Sequence, residues 1–176
     1  MDKLTKLAIK YGTDKWGKHH YTPVYYNMFK NNAKRRKVKK VLEIGVAEGA
    51  GLRMFKDFFT NAMIYGAEID EKRIFKEDRI EVIKCDQSSS WDLINLFSIT
   101  GLDMDLIVDD GSHKPKDQVY TCLSTMDNLK SSCIYVIEDV ADLSILKPIR
   151  KYHDAKAVKV GKRYDDRLVI VRKRSN

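Results

Sequence analysis

Leu106-Ile107-Val108-Asp109-Asp110-Gly111-Ser112-His113 is an apolar run that breaks into a polar cluster. A second run of the same kind, Ile134-Tyr135-Val136-Ile137, breaks into Glu138-Asp139. Short apolar runs alternating with helical segments read as buried parallel strands, so each cluster falls where a strand ends. Open α/β sheets bind ligands at the carboxyl ends of their strands. Asp110 and Glu138 stand 28 residues apart (138 − 110), about one βαβ crossover, so neighbouring strands would bring their carboxylates and His113 to one crevice. Carboxylates crowded in this way repel one another unless a cation or a proton joins them. The pattern predicts a divalent metal with a general base beside it.

Working outward, the same alternation continues on both sides. Val41 to Gly45, Ala62 to Glu68 and Ile80 to Lys84 read as earlier strands, and Ala155 to Val160 and Arg167 to Arg172 as a closing pair. Helical periodicity lies between them at Leu52 to Phe59, Ser90 to Phe97, Pro115 to Leu129 and Leu143 to Tyr152. This predicts an α/β fold: a Rossmann-like, doubly wound, mostly parallel seven-stranded sheet with helices on both faces. The length of 176 residues fits a single domain, with residues 38–176 as its core. Residues 1–37 stand outside the alternation. Tyr11-Gly12-Thr13-Asp14-Lys15-Trp16-Gly17-Lys18-His19-His20-Tyr21-Thr22 is rich in aromatic and hydrogen-bonding groups and poor in aliphatics, which suggests a lid rather than a core element. His19 and His20 are expected in that lid or in an acceptor pocket.

The bulk composition narrows the classes. No apolar run reaches the roughly 18 residues of a membrane span, and the first residues lack the apolar stretch of a secretory signal. Cys85, Cys122 and Cys133 lack metal-ligand spacing and are expected as reduced thiols in a cytoplasmic protein. The net charge of +8 raises nucleic acid as a partner. Much of it comes from Lys34-Arg35-Arg36-Lys37-Val38-Lys39-Lys40 and Arg172-Lys173-Arg174, which flank strands on the side away from their carboxyl ends. Such short runs are usually solvated faces, with a nucleic-acid or membrane-surface contact as the alternative.

The first strand opens into Glu43-Ile44-Gly45-Val46-Ala47-Glu48-Gly49-Ala50-Gly51. Glycines there permit a tight turn and close approach of a ligand. The dinucleotide fingerprint G-x-G-x-x-G is broken, and Glu48 would repel a pyrophosphate. The loop suits a ligand carrying positive charge. Glu68, with Asp70 second, ends the next strand where an acid accepts hydrogen bonds from ribose hydroxyls; capping of the following helix is the alternative. Asp86 and Gln87 end the third strand and are candidates to read an adenine edge, or else form a capped polar turn.

From Val41 through Val140 these features resemble the class I S-adenosylmethionine-dependent methyltransferases. The resemblance implies that Gly45 and its neighbours Glu43, Ala47 and Gly49 contact the methionine part, Glu68 the ribose, and Asp86 with Gln87 the adenine. Asp109 would be structural or touch the cofactor. A narrower resemblance rests on Tyr11-Gly12-Thr13-Asp14-Lys15-Trp16 with His20-Tyr21-Thr22, Asp109 through His113, and Val136-Ile137-Glu138-Asp139. Together these are similar to the metal-dependent sugar O-methyltransferases that act on macrolide deoxysugars. That resemblance implies metal ligands at Asp110, Glu138 and Asp139, a general base at His113, and cofactor contacts from Tyr11 and Thr13. It also implies Mg²⁺ or Mn²⁺, S-adenosylhomocysteine as product, and a sugar hydroxyl on a small molecule or glycan as acceptor. This chain is short for the group. An RNA ribose methyltransferase, a non-catalytic nucleotide-binding α/β module and an iron-dependent hydroxylase are the competing readings. The last needs two histidines with a carboxylate, and only His113 is well placed.

Overall fold

The computed structural model describes residues 1–174. Three helices come first: α1 (Lys3–Tyr11), α2 (Thr22–Phe29) and α3 (Asn32–Lys37). Asp2 starts α1 by accepting from the Thr5 amide, and Gly12 ends it in the left-handed conformation that glycine adopts without strain. There follow β1 (Lys40–Ile44), α4 (Ala50–Phe58), β2 (Met63–Glu68), β3 (Lys76–Glu77) and β4 (Ile80–Lys84). The chain continues through α5 (Ser90–Thr100), β5 (Leu106–Asp109), α6 (Pro115–Met126), β6 (Ile134–Ile137), α7 (Leu146–Tyr152), β7 (His153–Lys159) and β8 (Arg167–Lys173).

The strands form one sheet in the order β3-β4-β2-β1-β5-β6-β8-β7. The pairs from β4 through β6 are parallel, and β8 runs antiparallel to β6. The doubly wound class expected from the sequence is the one observed, with one strand more than the seven anticipated. The addition is β3, two residues long and antiparallel to β4; so short a strand carries no periodicity to read.

Side chains alternate across each strand, and this divides the core into two layers. Val41, Ile64, Leu106, Val108 and Val136 pack with Leu4 and Ala8 of α1, Tyr25 and Phe29 of α2 and the buried face of α4. Leu42, Ile107, Tyr135 and Ile137 pack with Leu93 and Leu96 of α5, Cys122 and Met126 of α6 and Ile149 of α7. Each fully buried aliphatic chain stabilises by ~1.5–3 kcal/mol. The expectation of a poor core in the first 37 residues is corrected here. Aromatics replace aliphatics: Phe29 meets Phe59 edge to face at 5.0 Å and Tyr25 meets Phe55 at 5.6 Å.

The crossover directions reverse between β1 and β5, which opens a crevice at their carboxyl ends. Both basic runs lie at the other end of the sheet. Helix α3 has no buried residue and leads into the start of β1. Its Arg35 guanidinium stacks on Phe58 at 4.9 Å. All three cysteines are free and buried, and burial pushes the thiols of Cys85 and Cys133 up to about 12. Among the described residues, no helix is long and apolar enough to cross a membrane.

Candidate active site

A cavity of about 480 Å³ occupies the crevice, lined among others by Gly45, Ala47, Glu68, Asp86, Asp110, His113 and Asp139. One wall is the loop after β1. Gly45 has φ +82°, and a Cβ there would collide with the backbone of Asp110 and Gly111. No other residue fits so close an approach of two loops. Glu68 is almost fully buried. Its Oε2 accepts from the amides of Val46 (3.0 Å) and Ala47 (3.2 Å), and its Oε1 from those of Ile69 (2.9 Å) and Asp70 (3.0 Å). The carboxylate fixes the loop as well as lining the cavity. Asp70 caps a short 3₁₀ turn through the Lys72 amide at 3.0 Å, the capping alternative foreseen for it. Asp86 accepts from the Ser88 amide and hydroxyl, which lowers its pKa below the usual carboxylate value.

The other wall is built from carboxylates. Ligand atoms of Asp110, His113 and Asp139 lie within 4.8 Å of one another. Among the described residues, three of the four non-glycine residues with positive φ line this cavity: Ala47 at 47°, His113 at 56° and Asp139 at 50°. Such conformations cost of order 1–3 kcal/mol each and cluster where a site over-determines the backbone. Here they turn the ends of β5 and β6 so that His113 and Asp139 face each other.

Beneath the carboxylates stands the N-terminal segment, in a role that the sequence did not disclose. Lys15 is 1% exposed, and its Nζ contacts Glu43 (2.9 Å), Asp110 (2.8 Å) and Glu138 (2.7 Å). Burial works to strip its proton, but the three acids overcome this and hold its pKa well above the ordinary lysine value. Tyr25 donates to Glu138 Oε1 at 2.5 Å and Tyr21 to Asp139 Oδ1 at 2.6 Å. Burial, with those carboxylates, raises both phenols. His19 is buried against Tyr21 with its Nδ1 2.8 Å from Asp166 and its Nε2 3.6 Å from Asp139. The lid or acceptor-pocket role expected for His19 is therefore replaced by one behind the site.

The structure gives several of the residues expected to contact the cofactor other partners. Tyr11 donates to Asp57 at 2.6 Å on the surface between α1 and α4, away from the cavity. Thr13 is buried and its hydroxyl faces the Lys15 amide at 3.4 Å. Glu43 points to the helix layer that holds Lys15, where Gly51 leaves room for its carboxylate. Gly49 begins α4 in the left-handed conformation and faces Phe75. Asp109 points to the opposite layer, held by Gln87 (3.0 Å) and Tyr135 (2.9 Å), with burial pushing its pKa up to about 6. Gln87 touches the cavity, but its amide is engaged: Nε2 donates to Asp109 and to Thr121 (3.1 Å), and Oε1 accepts from the Ser112 amide (2.7 Å). Glu138, expected among the metal ligands, is 1% exposed, and both its oxygens are taken by Lys15 and Tyr25. A chain pattern shows which residues end strands, but not whether a partner 123 positions away claims their oxygens.

The donor set fits a hard dication. Glu43, Asp110 and Glu138 surround one buried ammonium, and Asp139 lies beside Asp110 on the cavity side. Asp110 and Asp139 present oxygen to the cavity, the chemistry of Mg²⁺ or Mn²⁺, with His113 beside them. The cavity's acidic lining and the closely apposed loops at Gly45 fit a nucleoside-sized ligand of positive charge.

Sheet order, the glycine turn after β1 and the acid ending β2 define the fold of the class I S-adenosylmethionine-dependent methyltransferases. No family model matches the chain. Curated relatives do. It is 37% identical over 145 residues to the 8-demethyl-8-alpha-L-rhamnosyl tetracenomycin-C 2'-O-methyltransferase of Streptomyces olivaceus, covering 78% of this chain and 37% of that protein. It is 34% identical to the demethylmacrocin O-methyltransferase of Streptomyces fradiae, covering 78% of this chain and 36% of that one. Among solved structures, the MycE methyltransferase in complex with Mg, S-adenosylhomocysteine and mycinamycin VI superposes with a TM-score of 0.81. The match is 26% identical and covers 98% of this chain and 54% of that one. This chain is thus homologous to the sugar O-methyltransferases that its motifs resemble. It spans about a third of the length of the curated relatives it matches.

Proposed function

We propose that this chain is the catalytic unit of an S-adenosylmethionine-dependent, divalent-metal-dependent O-methyltransferase acting on a sugar hydroxyl. The observation that carries the proposal is the Asp110–His113–Asp139 cluster opening onto the Gly45–Glu68–Asp86 cavity. One homologue is named for 2'-O-methylation of a rhamnosyl tetracenomycin and another as a demethylmacrocin O-methyltransferase, and MycE was solved with Mg and S-adenosylhomocysteine, which supports the same pairing of donor and metal here.

S-adenosylmethionine would bring a sulfonium methyl into the cavity, and Mg²⁺ or Mn²⁺ would lower the pKa of a coordinated sugar hydroxyl. Asp110, Asp139 and the neighbouring Glu138 would hold the metal. His113, exposed at the rim, takes the hydroxyl proton on an imidazole nitrogen; Tyr21 keeps Asp139 in place from behind. Glu68 locks the loop of Val46 and Ala47, and Asp86 offers a free carboxylate oxygen to an adenine amine. Orientation contributes most, up to roughly 7–11 kcal/mol, against about 10²–10⁴-fold for a general base.

The acceptor is a small-molecule or glycan sugar, and the compartment the cytoplasm, in keeping with three free buried thiols. The basic runs of residues 34–40 and 172–174 do not serve this cavity, since they lie at the opposite end of the sheet; the cations at its own rim are Lys18, Arg73 and Lys114. Incubation with S-adenosylmethionine, Mg²⁺ and a panel of monosaccharides, rhamnosides and nucleosides, read by mass spectrometry, tests this. Methylated sugar is expected; methylation of nucleosides alone, or RNA binding with steep salt dependence, would favour the ribose reading instead.

A further inference from the structure

The two basic runs take no part in the catalytic cavity, and the fold brings them together. Strand β1 starts at Lys40, and β8 ends at Lys173 beside the start of β6, to which it is antiparallel. Residues 34–40 and 172–174 therefore share the end of the sheet opposite the crevice. No acid stands between Asp14 and Glu43 in the chain. Among the described residues, only Lys40 and Arg174 of the nine cations in the two runs form ion pairs, with Asp103 (2.6 Å) and Asp154 (3.6 Å). Around β3 and β4, by contrast, Arg53, Lys76 and Lys84 each meet an acid. A second cavity, of about 470 Å³, opens at the basic end where β7 and β8 meet α2. Met28, Ala155 and Ile170 give it half-buried apolar lining, and Arg150, Lys156 and Arg172 line it as exposed cations.

We propose that this end of the molecule is a docking surface for an anionic lipid bilayer, with the groove taking the phosphate headgroup and first methylenes of one lipid. Unpaired Lys and Arg are drawn to the negative potential of such a surface, and guanidinium groups bind phosphate through paired N–H donors. The groove has the polarity order of a phospholipid: cations outermost, apolar side chains beneath them. A single-stranded nucleic acid needs aromatic platforms beside the cations. Among the described residues, Tyr152 is the only exposed aromatic at this end, since Trp91 opens α5 and Tyr164 lies in the β7–β8 loop, both at the crevice end. Docked in this way, the chain turns the catalytic cavity away from the bilayer and leaves it open to solvent. The proposal draws on no part of the metal site.

The test is sedimentation of the full chain with vesicles of phosphatidylcholine alone, and with vesicles of phosphatidylcholine and phosphatidylglycerol in equal parts. Binding is expected only to the second, and should vanish as salt approaches about 1 M, where screening shrinks to about 3 Å. Arg36→Gln, Lys37→Gln, Lys156→Gln and Arg172→Gln combined should weaken it by on the order of 100-fold or more, at roughly fivefold per cation. Lys156→Gln with Arg172→Gln alone should weaken it about 25-fold, and decides the matter should the fourfold variant not fold. Lys72→Gln, Lys116→Gln, Lys147→Gln and Lys162→Gln combined remove the same charge from exposed positions elsewhere and should weaken it by less than about threefold. Equal loss in the two fourfold variants, equal binding to neutral vesicles, or no binding to anionic ones would overturn the proposal. Retention on polyuridylate without binding to vesicles would also overturn it and assign the face to nucleic acid.

Discussion

The two walls of the cavity are built by different means. The wall after β1 and β2 is local and made by backbone: Glu68 gathers four amides from Val46, Ala47, Ile69 and Asp70, and Gly45 lets the Asp110 loop come close. The wall after β5 and β6 is made by side chains from distant parts of the chain. Asp110, Glu138 and Asp139 are answered by Lys15, Tyr25 and Tyr21. The first wall is satisfied by its own amides and waits only for a shape. The second gathers three carboxylates around a single buried ammonium, with burial raising the pKa of Glu43 and Glu138. Binding of a nucleoside-like donor and binding of a dication should therefore be separable by mutation.

The largest effect is expected on the carboxylate wall. Asp110→Ala should reduce methyl transfer below detection, since the reactants then lose orientation worth up to roughly 7–11 kcal/mol. His113→Ala should leave weak activity, lower by about 10²–10⁴-fold, with Mn²⁺ still bound. Equal loss of metal in His113→Ala would make the imidazole a ligand rather than a base. On the first wall, Glu68→Gln should weaken S-adenosylhomocysteine binding in calorimetry and leave Mn²⁺ affinity unchanged. The amide presents a donor to two backbone N–H groups, at a cost of about 1–3 kcal/mol. A parallel loss of metal would show the walls to be coupled.

Smaller effects probe the packing behind each wall. Tyr25→Phe leaves Glu138 Oε1 without its donor in a dry interior and should lower stability by about 1–3 kcal/mol in denaturant unfolding. The Asp109 carboxyl has a pKa of about 6 in the folded chain, above the ordinary acid value of 3.8. The folded state therefore holds this proton more tightly than the unfolded one, and its stabilising contribution is complete at low pH and lost as pH rises through about 6. The stability difference between wild type and Asp109→Asn should shift in favour of the variant between pH of about 4 and about 6. A difference constant over that window would place the ionisation elsewhere.

The sequence made the first wall more legible than the second. Strand ends, the glycine turn and the acid Glu68 are read from patterns within a few residues, because the contacts that define them are local. Even there, Asp86 was told apart from Gln87 only by the structure. The amide of Gln87 turns inward to Asp109 and Thr121 instead of outward. The clusters at Asp110, His113 and Asp139 were visible as acids after apolar runs. What occupies Glu138 was not, because Lys15 reaches it across 123 positions and looks in sequence like a solvated residue among aromatics. The same blindness made the N-terminal segment look like a lid. Its Leu4, Tyr21, Tyr25 and Phe29 are instead buried in the core, with Lys15 as their polar tip. Asp14 and Lys18, from the same stretch, do reach the cavity rim.

The central claim is that a dication held by Asp110, Asp139 and the neighbouring Glu138 makes this cavity a sugar methylation site. It is tested most directly by transfer of the labelled methyl group of S-adenosylmethionine to rhamnosides, with Mg²⁺ present or removed by a chelator. The account predicts transfer that requires Mg²⁺, returns when the metal is restored, and is absent in Asp139→Asn. Transfer that persists at full rate in the chelator, or survives in Asp139→Asn, would contradict it.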